Sequence, residues 1–298
     1  MKELAFIERI RSRAGRPPRG IRAGIGDDCA VIEGHDGKYI LWAADMLVDG
    51  THFRLRECGY GKAGRKAVAV NLSDIAAMGG IPKYVLVSLG IPRGTTARSL
   101  DLLYDGILDM CKEYGVIVLG GDTNRAGRLV IDVSILGEVE KERLTLRSGA
   151  RKGDVVMITG PVRNGRRTHL DFIPRVKEAR AITSVCGVTA MIDTSDGIAM
   201  DMGRICAESG VGVVLDGKDI PLSAGLDLAD ALYYGESFEL LFTVPENDAA
   251  RLEAGKKGKY GNCRVFRIGR VVAKKEGMRV KDDKGGFSPL AMEGYRHI

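Results

Sequence analysis

Residues 64–82 read GRKAVAVNLSDIAAMGGIP, and this run sets how the rest of the chain is read. From Gly64 to Met78 it is alanine-rich and helical, and it stops at Gly79-Gly80-Ile-Pro82, a standard helix ending. Asp74 stands in the middle of this apolar helix. An aspartate there is unfavourable unless something pairs with it.

Working outward, the elements alternate. Leu4, Ile7 and Ile10 have the spacing of one helix face over residues 1–14, after which Gly15-Arg-Pro-Pro-Arg-Gly20 breaks the chain. Residues 39–44 read as a buried strand and 84–89 as another, and Thr96 caps a helix running to Tyr114 and ending at Gly115. Residues 116–119 and 129–135 are further strands. The polar, glycine-containing stretch 147–154 marks a boundary between domains of residues 1–150 and 151–298. The second half repeats the rhythm, with strands over 155–158, 190–192, 211–215, 238–244 and 263–272. It has a helix over 198–209 closed by Gly210, and a shorter one from Asn247. Such alternation predicts an α/β (α+β) architecture in both halves.

Bulk properties narrow the function. With 298 residues, 45% hydrophobic and 28% charged, the chain suits a water-soluble enzyme with a full core. No apolar run approaches the roughly 18 residues that span a bilayer, and the N-terminus is too charged for a signal peptide, so a cytoplasmic setting without membrane contact is expected. Six scattered cysteines with no C-x-x-C pair argue against zinc and against a disulfide framework. The net charge of +6 owes much to Arg9, Arg11, Arg13, Arg16, Arg19 and Arg22. They read as a solvated helix end and loop, with a phosphate-facing loop as the sharper alternative. No interleaved aromatics or known module accompany them, so a nucleic-acid partner is not expected.

Four further segments place aspartate beside small residues at a strand end: Gly24-Ile-Gly-Asp-Asp28, Ala43-Ala-Asp45, Gly120-Gly-Asp-Thr123 and Asp193-Thr-Ser-Asp-Gly197. Hard oxygen ligands next to glycine, where backbone can approach a ligand closely, suit Mg²⁺ bridging phosphates. Phosphoryl transfer asks a protein mainly to position groups and neutralise charge, which is what carboxylate–metal clusters do. Gly59-Tyr-Gly-Lys-Ala-Gly64 matches G-x-G-x-x-G, but no strand precedes it, and it reads as a flexible entry to the helix. There is no P-loop, and Ser195 lacks the G-x-S-x-G elbow of a hydrolase.

The stretches GIGDDCAVI, ADMLVDGTHF, KAVAVNLSDIAAMGG, LGGDTNR, LTLRSGARKGD, IDTSDGIAMDMGRI and GESFELLFTV together resemble the thiamine-monophosphate kinase family. It belongs to the aminoimidazole ribonucleotide synthetase-like superfamily. The resemblance implies a two-domain fold whose N-terminal sheet pairs with a second subunit in a homodimer, ATP as co-substrate, several Mg²⁺ ions, and thiamine monophosphate as phosphoryl acceptor. Carried over by motif, Asp28, Asp45, Asp74, Asp122 and Asp193 would hold Mg²⁺, with Asp27 and Asp196 close by, and Asp122 and Asp196 would serve the reaction. Gly121, Asp122, Arg147 and Ser195 would contact nucleotide, and His52, Glu236 and Tyr295 the thiamine phosphate. The chain departs from the family at Ala43-Ala44, where Ser-Thr is usual, at Ser237, where a carboxylate is usual, and in a shortened segment over 159–174. Two other readings stay open: a related ATP-using enzyme with another substrate, and a nucleotide-binding regulator without turnover.

Overall fold

In the computed structural model, residues 3–163, 168–254 and 264–295 are described. Helix α1 (Glu3–Ala14) leads into β1 (Ile21–Ala23), β2 (Ala30–Glu33) and β3 (Lys38–Val48). Then come α2 (Leu55–Ala77), β4 (Ile81–Ile91), α3 (Ala97–Tyr114), β5 (Ile117–Arg125) and β6 (Val130–Glu140). These strands form one six-stranded sheet in the order β1-β2-β3-β6-β4-β5, antiparallel except where β4 runs parallel to β5. The strands β3 and β6 pair along their whole length, from Lys38 opposite Glu140 to Val48 opposite Val130.

The second half holds β7 (Val155–Thr159), α4 (Val176–Val185), β8 (Ala190–Asp193), α5 (Ile198–Ser209) and β9 (Gly212–Asp216). It continues with α6 (Leu228–Tyr233), β10 (Leu240–Val244), α7 (Glu246–Glu253), β11 (Val265–Val272), β12 (Met278–Lys281) and β13 (Phe287–Pro289). Its sheet runs β13-β12-β9-β11-β7-β10-β8, and among the described strands only the β9–β12 pair is parallel. Both sheets are thus mixed and mostly antiparallel, the α+β form of the expected architecture. Cys263, where the last long strand was expected to begin, lies outside the described residues.

Local chemistry explains several boundaries. Thr96 caps α3 by accepting from the Ser99 N–H at 3.2 Å, and Gly115 ends it in the left-handed region at φ 67°. The α2 helix starts earlier than its sequence suggests, at Leu55, and breaks at Gly59, where φ is 74° and ψ 169°. The glycines around it are spacers for helix packing and not a flexible entry: a Cβ on Gly64 would stand 2.1 Å from the carbonyl oxygen of Leu103, and one on Gly106 2.0 Å from that of Gly61. Their absence of side chain lets α2 and α3 touch backbone to backbone.

From Ala63 to Ala77, α2 is buried on nearly every side. It packs against β3 and β6 on one side and β8 and α4 on the other, and the larger apolar core runs through it from Val133 and Ile135 of β6 to Met191 of β8 and Phe242 of β10. A helix in that position can present side chains to a site shared by both halves. On β3, Leu41, Ala43 and Leu47 face this core while Trp42, Ala44 and Met46 face outward, the two-residue alternation of a strand.

Candidate active site

A cavity of about 790 Å³ opens where the two halves meet along α2. Asp27 and Asp28 reach it from the loop between β1 and β2, Asp45 from β3, Asp74 from α2, and Asp193 from the end of β8. One carboxylate oxygen from each of Asp28, Asp74 and Asp193 lies within 4.8 Å of the other two. Neighbours fix these groups. Ser73 Oγ donates to Asp193 Oδ2 at 2.5 Å, Arg147 Nε donates to Asp28 Oδ1 at 3.2 Å, and its Nη2 pairs with the same oxygen. The Arg147 backbone N–H donates to both oxygens of Asp27, at 3.2 and 3.3 Å. Oδ2 of Asp28 is buried and has no hydrogen-bond partner among the described residues.

The electrostatics follow from crowding acids in a dry place. Burial, then repulsion from Asp28, pushes the Asp27 carboxyl up to about 7, and the same two causes push Asp193 to about 7. Burial, with Asp45, Asp193 and Asp28 as neighbours, carries Asp74 well above the usual carboxylate range. A further cation beside such a set would favour its charged form. The donors are hard oxygens, the orphaned Asp28 oxygen lacks a partner, and both features suit a divalent ion such as Mg²⁺.

Further along the cavity stand Ser195, Asp196, His52, Glu236 and Tyr295. Asp196 is engaged by Arg204, whose Nη1 also donates to buried Asp201 at 2.7 Å. The His52 ring accepts from the Val48 N–H through Nδ1 at 3.0 Å. Glu236 and Phe238 both have left-handed backbones, at φ 65° and 53°, a conformation non-glycine residues rarely hold without support. Two hydrogen bonds stitch this turn to the β8 end: Glu236 N–H to Ser195 O at 2.7 Å and Phe238 N–H to Thr194 O at 2.9 Å. Tyr295 is tied by its N–H to Asp196 O at 3.1 Å.

Two expected site residues are not brought into this cavity. Gly121 and Asp122 lie on β5, the exposed edge of the first sheet, where Asn124 Nδ2 donates to Asp122 Oδ2 at 3.0 Å. Asp45, Val133, Val87 and Gly121 share one row across β3, β6, β4 and β5. Three strand spacings put Gly121 about 14 Å from Asp45, so within one chain Asp122 cannot join the other carboxylates at a common ion. Gly121 is needed there for packing: a Cβ on it would stand 1.7 Å from the Val87 carbonyl oxygen.

Comparison with known proteins gives this geometry a family. The AIR synthase related N-terminal domain matches residues 26–139 and the AIR synthase related C-terminal domain residues 168–281. Thiamine-monophosphate kinase of Rhodopirellula baltica is 34% identical, over 99% of this chain and 97% of that protein. The Bacillus subtilis thiamine-monophosphate kinase is 34% identical over the full length of both. The chain belongs to the thiamine-monophosphate kinase family. A solved structure described as AaThiL complexed with AMPPCP and TMP superposes with a TM-score of 0.85 at 28% identity, covering 100% of this chain and 97% of that one.

As a member of the thiamine-monophosphate kinase family, the chain also shows site neighbours that its motifs did not announce. Arg204 on α5 lies one turn from Asp201, an i,i+3 pair that could have been read. Arg11 of α1 reaches the cavity and pairs with Glu208 at 2.6 Å, so one of the six N-terminal arginines is committed to an ion pair across the opening. Lys66 is the clearest omission: a lysine among alanines and valines on α2 is the same signal as Asp74, and its side chain is fully buried against Glu236. The departures from the thiamine-monophosphate kinase pattern also have places. Ala43 faces the core and Ala44 the open face of the sheet, and Ser237 Oγ is buried, accepting from the Arg163 N–H at 3.1 Å.

Proposed function

We infer that the chain transfers the γ-phosphoryl group of ATP to thiamine monophosphate, releasing thiamine diphosphate and ADP. The observation that carries this reading is one cavity holding a carboxylate triad beside the last turn of α2 and His52 and Glu236 towards its N-terminal half, in a chain with full-length thiamine-monophosphate kinase relatives. The solved relative holds AMPPCP, an ATP analogue, together with TMP, which is the pair of ligands such a cavity has to accommodate.

Asp28, Asp74 and Asp193 would hold Mg²⁺, with Asp27 and Asp45 beside them. When bound there, Mg²⁺ would supply positive charge against that of the phosphates during transfer. The chain's own work is positioning. Arg147 and Ser73 fix Asp28 and Asp193, and Arg204 fixes Asp196. A phosphate oxygen of the acceptor attacks the γ-phosphorus, the bond to the bridging oxygen breaks, and ADP leaves with the electron pair. That oxygen is already anionic near neutral pH, so no side chain has to remove a proton. Asp196 therefore serves by charge and position, next to Ser195 and Arg147 as nucleotide contacts. The carboxylate of Glu236 and the rings of His52 and Tyr295 take the thiamine portion.

Gly121 and Asp122 fit this scheme only in a homodimer. Trp42, Met46, Leu86, Ile117 and Leu119 of β3, β4 and β5 are 45–62% exposed and form an apolar sheet face of the kind a subunit interface covers. A second copy on that face would bring an edge strand like β5 toward the cavity. The division into 1–150 and 151–298 is supported by the two sheets, the strands of one ending at Glu140 and those of the other beginning at Val155. A cytoplasmic setting accords with the five free cysteines among the described residues. None of the described helices is long and apolar enough to cross a membrane.

The test is direct. Purified chain with ATP, Mg²⁺ and thiamine monophosphate is expected to yield equimolar thiamine diphosphate and ADP. The absence of both turnover and thermal stabilisation by thiamine monophosphate would overturn the reading.

A further inference from the structure

Lys66 of α2 is fully buried, and its ammonium has three hydrogens to place. Nζ donates to the backbone oxygen of His52 at 2.7 Å, to Nδ1 of His169 at 2.7 Å, and to Oε1 of Glu236. All three hydrogens are therefore used inside the protein, and Lys66 does not line the cavity. His169 accepts through Nδ1, so its ring carries its proton on Nε2. Burial and the adjacent ammonium hold that ring neutral by pushing its pKa down. The far oxygen of Glu236 lies 3.2 Å from the same Nδ1.

This places one ammonium between two loops that reach the cavity from opposite halves. His52 lies between β3 and α2, while Glu236 lies on the strained turn before β10. Around that turn, the segment that carries His169 makes two more contacts. Phe172 stacks on Phe238 with ring centres 4.0 Å apart and planes 16° from parallel, and Arg175 grips Glu239 through two hydrogen bonds of 2.8 and 2.6 Å. The same segment is anchored to α2 by Arg65, which donates to the carbonyl oxygens of Leu170 and Phe172 at 2.9 and 2.6 Å. Left-handed glutamate persists where surrounding structure over-determines it, and here Lys66 and the Ser195 carbonyl both hold one residue, with His169 acting on it through the ammonium.

We propose that Lys66 and His169 are positioning residues for acceptor recognition: the buried ammonium ties the His52 loop to the Glu236 turn at a fixed spacing, and His169 fixes the ammonium. The acceptor is selected through a contact it never touches. This rests on the reading of His52 and Glu236 as acceptor contacts, and the experiment separates the two.

Lys66→Met keeps an unbranched side chain one atom shorter and removes its charge. In steady-state kinetics it is expected to raise KM for thiamine monophosphate by about tenfold or more, with KM for ATP changed by less than about twofold. His169→Leu is expected to raise the same KM by a smaller factor, and His169→Asn, which keeps an acceptor near the Nδ1 position, to recover most of that loss. Amide hydrogen exchange on the ligand-free protein reads the tie without any substrate: Lys66→Met should speed exchange about tenfold or more in both 50–53 and 235–239. If Lys66→Met does not fold, His169→Leu carries both measurements. Faster exchange in only one loop or in neither, or equal rises of both KM values, overturns the inference. If the unaltered protein does not turn over thiamine monophosphate, the functional reading fails and exchange alone decides the tie.

Discussion

Ser73, on α2, gives its hydroxyl hydrogen to Asp193 at the end of β8 over 2.5 Å, so a helix of the first half and a strand of the second share one buried carboxylate. This hydrogen bond favours the charged form of Asp193 against the burial that opposes it. Ser73→Ala is expected to make Asp193 hold its proton to higher pH and to weaken Mg²⁺ binding at pH 7 by about tenfold, with a stability loss of about 1 kcal/mol. Isothermal titration and urea unfolding check the two parts; unchanged Mg²⁺ affinity would dissociate Asp193 from the ion.

The pH dependence of metal-free stability should be inverted relative to ordinary carboxylates. Asp27 and Asp193 are raised to about 7 in the folded state from 3.8, so between about pH 4 and pH 7 the folded protein binds more protons than the unfolded chain. Stability then falls as pH rises through that window. Mg²⁺ should restore it, by a larger margin at pH 8 than at pH 5, because protons compete with the ion. Thermal unfolding at a series of pH values with and without Mg²⁺ measures this; stability that rises steadily from pH 4 to 7 without metal would contradict it.

Asp74→Asn separates activity from stability. It removes a carboxylate from the triad and is expected to lower kcat by roughly 10²–10³. The same change relieves repulsion among buried acids, so the metal-free melting temperature should rise while stabilisation by Mg²⁺ shrinks. A variant that loses stability in both forms would show that Asp74 acts as packing.

Phe172→Ala removes a fully buried ring stacked on Phe238 beneath the left-handed turn. The expected cost is about 3–5 kcal/mol in urea unfolding, as for a large-to-small change in a core. Because the turn carries Glu236, KM for thiamine monophosphate should rise in whatever fraction remains folded at 20 °C or below.

Leu119→Asp places a charge on the open face of the first sheet at a residue 62% exposed in the single chain. It is expected to convert a dimer into a monomer in analytical ultracentrifugation and to abolish turnover with it. Retained activity in a clean monomer would remove Asp122 from the reaction.

How much of this could be read from residues alone depends on how local the cause is. Thr96 and Gly115 bounded α3 because capping is decided within one turn. Asp74 stood out because an acid in an apolar helix needs a partner. The Gly-Gly-Asp of 120–122 looked equivalent to the other aspartate segments, yet strand order sends β5 to the sheet edge, and order is a property of the whole topology. Helix α4 carries no capping side chain, so the expected start signal is absent. His169 could not be read at all: its partners Lys66 and Glu236 come from remote parts of the chain, and the segment around it has no periodic pattern.

The burial of α2 has one more result. Lys66, Val70 and Asp74 follow one another at four-residue steps on one face of the helix, the first bonded to His52 and Glu236 and the last in the carboxylate triad. Eight residues of α-helix measure about 12 Å, and a helix packed on all sides cannot stretch or bend to change that figure. The chain thereby holds a caliper between its carboxylate triad and its His52–Glu236 end. Molecules that carry the right groups at a different separation would reach one jaw and miss the other.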